Sequence, residues 1–258
     1  MKPIIELREL TKSFNGRRIT NELNLEIMPG EFLAIIGRSG EGKSVLLKQI
    51  IGLITPDSGE VLVENINVHC LSSVERQEVF KKCGYVFQFA ALLDSLNVFE
   101  NIGISLLEKN IPAPAVRPLV IEKLRSVGLS EDVLPKSPSE LSGGMKKRVG
   151  LARTLMLNPA IILYDEPTTG LDPISVRLIH ELIKKTQIEH QATTVVISHD
   201  IEIFKYADRV AMLHEGKIVY IGPAATIWDC KNPYIYQFIR GLENGPIENA
   251  GHISNTKQ

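Results

Sequence analysis

The sequence predicts an α/β fold, a mostly parallel sheet with antiparallel β elements and an inserted helical subdomain. Three observations carry this prediction. Phe32–Ile36 (FLAII), Ala160–Tyr164 (AIILY) and Thr193–Ser198 (TTVVIS) are apolar throughout, as strands covered on both faces are. Helical patterns separate these runs, the alternation that builds parallel sheets. Residues 90–158 are richer in helix signals and are punctuated by Pro112, Pro114, Pro118, Pro135 and Pro138, so they read as helical pieces inserted between two strands.

The elements follow in chain order. Ile4–Leu10 (IIELREL) and Asn21–Ile27 (NELNLEI) alternate apolar and polar residues, as half-buried strands do. A helical run, KSVLLKQIIGL, starts at Lys43 after the first apolar strand, and a weaker strand signal covers Tyr85–Phe87. Ser175–His190 places Val176, Ile179, Leu182 and Ile183 on one helix face. Arg209–Gly222 reads as a hairpin turning at Glu215-Gly216-Lys217. One domain over residues 1–240, its helical subdomain at about 90–158, followed by a polar extension over 241–258, is the expected organisation. That extension is rich in Gly and Asn and is expected to be mobile.

Composition narrows the function. A formal net charge of -1 gives no reason to expect nucleic-acid binding. Cys70, Cys83 and Cys230 are scattered and form no CxxC pair, so they read as free thiols in a reducing compartment. Glu6 and Arg8 interrupt the apolar start of the chain, unlike a secretory signal. No apolar run approaches the ~18 residues of a membrane span, so a membrane process would need its span from another chain.

Gly37-Arg38-Ser39-Gly40-Glu41-Gly42-Lys43-Ser44 fits G-x-x-x-x-G-K-[ST]. It sits between an apolar strand and a helical run, the context a phosphate-binding loop needs. Glycines let successive N–H groups turn toward phosphate oxygens. The helix start, through Val45, adds its positive end. Lys43 supplies an ammonium to the β and γ phosphates of ATP, and Ser44 a hydroxyl to Mg²⁺. An ordinary Gly-rich turn is the competing reading. The fold prediction thereby sharpens to a P-loop NTPase core.

The strand ILYD ends in Asp165-Glu166. A strand end beside the loop lets Asp165 hold the Mg²⁺ shell and Glu166 polarise a water at the γ phosphate. The competing reading is a solvated acidic pair. His199 follows TTVVIS at the strand edge where ligands sit, whereas His69, His180, His190, His214 and His252 read as structural. Gln88 ends the Tyr85–Phe87 strand and is a candidate for contact with Mg²⁺ or the attacking water.

Leu141-Ser142-Gly143-Gly144-Met145 opens another helical run, KKRVGLARTLML. Ser142 is a candidate N-cap, and the glycines leave a second helix start open to an anion. Taken with ILYDEPTTGLD and VISHD in that order, the chain resembles the ABC ATPases over residues 4–240. Met145 stands where the family signature has Gln, which puts that Gln's contacts in doubt but not the Ser-Gly-Gly cradle. The resemblance implies a head-to-tail dimer of two such chains. Each ATP would lie between one chain's Gly37–Ser44 and the other's Ser142, Gly143 and Gly144. It also implies adenine stacking by Phe14, a base role for Glu166, a switch role for His199, the Q-loop role for Gln88 and a place for Asp172 at the seam.

Phe87–Ile102 (FQFAALLDSLNVFENI) and Gln237–Ile247 (QFIRGLENGPI) are similar to the ATPases of Mla-type phospholipid transporters. That likeness implies an integral-membrane permease, an MCE-domain lipid-binding subunit, and a peripheral position on the cytoplasmic face of the inner membrane. Phe89–Phe99 reads equally as a contact loop or as core of the helical insertion. An ATPase for import of an amino acid or ion is the alternative within transport. DNA repair or translation is a more distant one, opposed by the single cassette, the lack of sustained heptads and the lack of a Cys-rich insertion.

Overall fold

The computed structural model describes residues 2–247. In chain order the elements are β1 (Ile5–Phe14), β2 (Arg17–Ile27), β3 (Phe32–Ile36), α1 (Lys43–Ile50), β4 (Ser58–Val63), β5 (Ile66–Asn67), α2 (Ser73–Lys81), β6 (Cys83–Val86), α3 (Val98–Leu107), α4 (Ala113–Ser126), α5 (Gly143–Leu155), β7 (Ile161–Asp165), α6 (Pro173–His190), β8 (Thr193–Ile197), β9 (Arg209–His214), β10 (Lys217–Pro223) and α7 (Pro233–Arg240).

Two sheets result. The central one has the order β10-β9-β3-β8-β7-β6. Its strands are parallel except at the β9–β10 hairpin. The second is antiparallel, in the order β2-β1-β4-β5. The continuously apolar strands lie in the middle of the central sheet because both its faces are covered. On β3, Phe32, Ala34 and Ile36 point into a core shared with α3, α4, α5, α6 and α7. Leu33 and Ile35 point the other way, toward α1 and the antiparallel sheet. The strand period of two therefore assigns every second residue to a different core. Burial of one such Ile or Leu stabilises by about 1.5–3 kcal/mol, so polar residues are left to the strand ends.

The structure departs from the sequence expectation in several places. β1 continues past Leu10 to Phe14, which pairs with Arg17 across Asn15-Gly16. Both turn residues have positive φ, 50° and 77°, as a two-residue hairpin turn requires. Strands β4 and β5 carry no pattern strong enough to read locally. The prolines of the insertion do not break it as finely as expected. α4 runs through Pro118 because Val116, Val120 and Leu124 bury one face against the core.

Gly241–Ile247 is not a free extension. Gln237, 5% exposed, donates from Nε2 to the carbonyls of Leu242 (3.2 Å) and Ile247 (3.0 Å). Its Oε1 accepts the Ile247 N–H at 2.8 Å, and Ile247 joins the helical-side core. A Cβ on Gly245 would lie 2.3 Å from that same Oε1, so a side chain there would displace the Gln237 amide from these bonds. Polar composition concealed one buried anchor. The rest of the expected mobile tail, 248–258, lies outside the described residues. Among the described residues no helix is long and apolar enough to cross a membrane.

Gln237→Ala should destabilise the fold by about 1–3 kcal/mol, since it strands buried backbone groups of the C-terminal turn. Urea titration reads the loss, and hydrogen exchange should show the Ile247 amide unprotected. Unchanged protection would show that the turn is held by other contacts.

Candidate functional site

β3, α1, β7 and the chain after β8 place the predicted residues at one edge of the central sheet. Gly37 leaves β3 with φ 153°, and a Cβ there would sit 2.4 Å from the Leu213 carbonyl oxygen. Gly42 has φ 91°, and its Cβ would meet Ile19 Cγ2 at 2.3 Å. The loop is thus pressed between β2 and β9 at two points that exclude a side chain. Gly42 is the N-cap of α1, and no side chain caps this helix. The first-turn N–H groups around Lys43, Ser44 and Val45 are left for an anion.

Glu41 turns away from the loop mouth. It accepts the Glu215 N–H at 2.7 Å and meets His214 Nδ1 at 3.1 Å, which fastens the loop to the β9–β10 hairpin. Ser39 and Gly40 are exposed at the tip, and Arg38 is half-buried.

The Lys43 side chain is 3% exposed. Its Nζ donates to the carbonyls of Gly37 and Arg38, both at 2.9 Å, and lies 3.9 Å from Glu166 Oε1. Burial lowers its pKa, while the carboxylates of Glu166, Glu41 and Asp165 oppose that shift. Ser44 Oγ donates to Asp165 Oδ1 at 2.6 Å. Tyr85 OH donates to Asp165 Oδ2 at 2.8 Å. Burial first, then the Asp165 carboxylate, pushes the Tyr85 phenol upward, which keeps it a donor.

Glu166 stands one residue past β7 at φ 46°, in the left-handed region. Its Oε2 accepts from Thr169 Oγ1 at 3.0 Å and from Gln88 Nε2 at 3.3 Å. His199 Nδ1 lies 3.7 Å from the same oxygen, with the ring half exposed. Phe14, Ile19, Gly40, Gly42, Lys43, Ser44, Val45 and Glu166 line one cavity of about 260 Å³. Phe14 is 44% exposed, with Lys12 Nζ 5.3 Å from its ring centroid.

Ser44 and Asp165 present hard oxygens 2.6 Å apart beside this cavity. Among the described residues no group of three or more His, Cys, Asp or Glu forms a metal cage. Mg²⁺ is commonly held by one or two protein oxygens together with nucleotide phosphates, so this pair fits a cation that arrives with its nucleotide.

The second helix start lies apart. Ser142 caps α5 and accepts the Met145 N–H at 3.3 Å. A Cβ on Gly143 would be 3.5 Å from Leu171, and one on Gly144 3.7 Å from Ser175 Oγ. Asp172 caps α6 and accepts from the backbone of Ile174 and Ser175 and from Ser175 Oγ at 2.6 Å. Hydrogen bonding to Ser175 lowers the Asp172 pKa. Neither Ser142, Gly143, Gly144 nor Asp172 lines the Phe14 cavity.

Sequence reasoning missed Tyr85, Thr169, Ile19, Lys147 and Arg153. Lys147 Nζ donates to the Thr169 carbonyl at 3.0 Å. Arg153 donates to the carbonyls of Ala91 (2.7 Å) and Ala90 (2.9 Å) and so holds the loop after Gln88. Tyr85 did fall inside a recognised strand, and its parallel pairing with Leu163 brings it level with the end of β7.

Tyr85→Phe removes one donor from a carboxylate that is 5% exposed. It should cost about 1.5–3 kcal/mol of stability, the range for a hydrogen bond to a charged group. The urea midpoint measures it, and an unchanged midpoint would mean that Oδ2 is satisfied without Tyr85.

A family model described as ABC transporter matches residues 20–169. The chain is 39% identical over 245 residues to "Probable ribonucleotide transport ATP-binding protein mkl" of Mycobacterium leprae, covering 94% of this chain and 70% of that one. It is 37% identical over 246 residues to "Intermembrane phospholipid transport system ATP-binding protein MlaF" of Escherichia coli, covering 95% and 91%. A solved dimeric ATP-binding cassette, bound to ADP and Pi in a post-hydrolysis state, superimposes with a TM-score of 0.79 at 34% identity, covering 85% and 98%. With a family model spanning more than half its length and relatives covering nearly all of it, the chain belongs to the ABC transporter family.

Proposed function

We propose that the chain binds Mg²⁺–ATP at the Phe14 cavity, hydrolyses it, and as an ABC transporter subunit drives phospholipid movement through a separate permease. The observation that carries the hydrolytic reading is the convergence of Lys43, Ser44, Asp165 and Glu166 at one sheet edge. Phe14 stacks on adenine. The N–H groups of Gly37–Val45 and the Lys43 ammonium bind the phosphates. Mg²⁺ supplies charge neutralisation at the phosphates, and Ser44, Asp165 and Gln88 would hold it. Glu166 accepts a proton from the attacking water as general base. Thr169 and Gln88 fix its Oε2, and His199 faces the γ phosphate as the switch.

The position of Ser142, Gly143, Gly144 and Asp172 outside the cavity favours a site completed by a second copy, head to tail. The dimeric state of the ADP-bound cassette supports this. The phospholipid reading rests on the Escherichia coli relative, which covers nearly the whole of both chains. An MCE-domain subunit and a peripheral position on the cytoplasmic face of the inner membrane belong to the same proposal. The loop after Gln88 offers a contact surface for the permease. Phe89 is 81% and Leu93 45% exposed, while Val98 is fully buried. The buried Asn101 side chain ties the loop down through Leu93 and Leu96. Ribonucleotide transport is the second reading, favoured by the name of the mycobacterial relative.

Lys43→Ala should abolish ATP turnover with the circular dichroism unchanged. Glu166→Gln should still bind ATP, lose ~10²–10⁴-fold in rate, and sediment as a dimer when ATP is present. Mixing Ser142→Arg with Lys43→Ala chains leaves one intact composite site per mixed dimer, so ATP occlusion should partly recover. Wild-type turnover in Glu166→Gln would remove the base assignment, and no recovery in the mixture would remove the shared site.

Asp94→Lys, at an exposed position in the contact loop, should weaken pull-down of the permease and spare basal ATPase activity. The purified complex should carry glycerophospholipid and an MCE-type subunit. Transport of a ribonucleotide, amino acid or ion in place of lipid would overturn the substrate assignment and leave the ATPase reading standing.

A further inference from the structure

Two cationic side chains of α5 reach out of the helical subdomain and grip backbone carbonyls of loops at the candidate site. Arg153 holds Ala90 and Ala91, whose φ values of 59° and 47° are left-handed. Lys147 lies nearer the helix start and is the more telling of the two. It is 8% exposed, and its Nζ donates to the Thr169 carbonyl at 3.0 Å. Thr169 in turn donates from Oγ1 to Glu166 Oε2 at 3.0 Å, and its N–H closes a turn onto the Glu166 carbonyl at 3.3 Å. Glu166 is a non-glycine residue at φ 46°, a conformation that persists only where the surroundings enforce it.

We propose that Lys147 is a positioning residue for Glu166, holding the Glu166–Thr169 turn from α5 and so joining the helix that begins at Ser142 to the carboxylate of the same chain. The inference rests on the reading of Glu166 as general base.

A buried ammonium is costly unless it is hydrogen-bonded and near an opposite charge, and Lys147 meets the first need at the Thr169 carbonyl. Burial lowers the Lys147 pKa, and the attraction of the Glu166 carboxylate opposes that shift, which places the two groups in each other's field. A solvent-facing helical lysine would need neither the burial nor the carbonyl. The geometry also sets a direction for the coupling. Any force on the N-terminus of α5, where Ser142 sits, displaces Lys147 about one turn further along a rigid helix. That displacement is felt at the Thr169 carbonyl and through Thr169 Oγ1 at Oε2. Adjusting the carboxylate through its supporting turn changes the rate of water attack without changing how the nucleotide is held.

The test uses the full chain with Mg²⁺–ATP and compares Lys147→Met, which keeps length and removes charge, with Lys147→Arg. Lys147→Met should lower kcat by ~10–100-fold, the scale of a misplaced catalytic group. Its ATP Kd, from titration of a fluorescent nucleotide, should stay within about twofold of wild type, because only the transition state is affected. Lys147→Arg should restore most of the rate. On the Glu166→Gln background, Lys147→Met should change the residual rate by less than about twofold, since groups acting as a unit are not additive.

A wild-type kcat for Lys147→Met, or the same fractional loss with and without Glu166, would overturn the proposal. Should Lys147→Met fail to fold, Thr169→Val removes the hydroxyl leg of the same connection and must meet the same two criteria. The outcomes separate the two readings. A Glu166→Gln chain that turns over normally defeats the base assignment and the proposal with it. A slow Glu166→Gln chain beside a normal Lys147→Met chain defeats the proposal alone.

Discussion

The site depends on the Asp165 carboxylate. One oxygen accepts from Ser44 in the first turn of α1, the other from Tyr85 near the end of β6. A 5% exposed carboxylate must have such donors, because an unpaired charge at that depth is not tolerated. By meeting that need, Asp165 fixes three elements relative to one another: the phosphate-loop helix, its own strand β7 and the edge strand β6. Glu166 follows in sequence, so its position is inherited from the same arrangement. Each remaining group on Glu166 then only has to reach a carboxylate already set in place.

The double cover of the central sheet makes this arrangement stiff. Residues of β3, β7, β8 and β9 alternate between the helical-side core and the core around α1. A one-residue slip of any of these strands would exchange the side chains of the two cores and undo the packing of both. Strand ends on such a sheet are therefore fixed points, and the catalytic candidates occupy them. The loops between are less constrained and are held by side chains. Glu41 fastens the phosphate loop to a hairpin, Arg153 the loop after Gln88, and Asp172 the start of α6.

α5 spans this division of labour. Its N-terminus lies against Leu171 and Ser175, its middle contacts Thr169 through Lys147, and its last turns reach Ala90 and Ala91 through Arg153. One rigid element thus touches the second helix start, the turn under Glu166 and the exposed apolar loop. These contacts lie on one continuous helix with a fixed rise of about 1.5 Å per residue, so the candidate site and the exposed loop after Gln88 share a single supporting element. The left-handed residues at the receiving ends, Ala90, Ala91 and Glu166, are conformations that small changes in support can alter.

By itself the sequence determined the elements whose signal is local. A glycine loop between an apolar strand and a helix, a strand ending in Asp-Glu, and a Ser-Gly-Gly helix start are contiguous stretches whose chemistry follows from residue order. The buried strands were legible because cover on both faces leaves a continuous apolar run. The Asn15-Gly16 turn carried a local signal that went unread, and it sets Phe14 in a strand. Tertiary structure alone decided the partners. Tyr85 and Asp165 are 80 residues apart, Arg153 and Ala90 are 63, and Lys147 and Thr169 are 22. A tyrosine on a strand, or a lysine on a helix, has the same local pattern whether it meets solvent or a carboxylate. The choice between those environments is made by strand order and helix packing, which no single stretch of sequence encodes. The buried Ile247 in a polar tail is the same lesson in reverse, since one apolar residue has no periodicity and only the Gln237 side chain gives it a place.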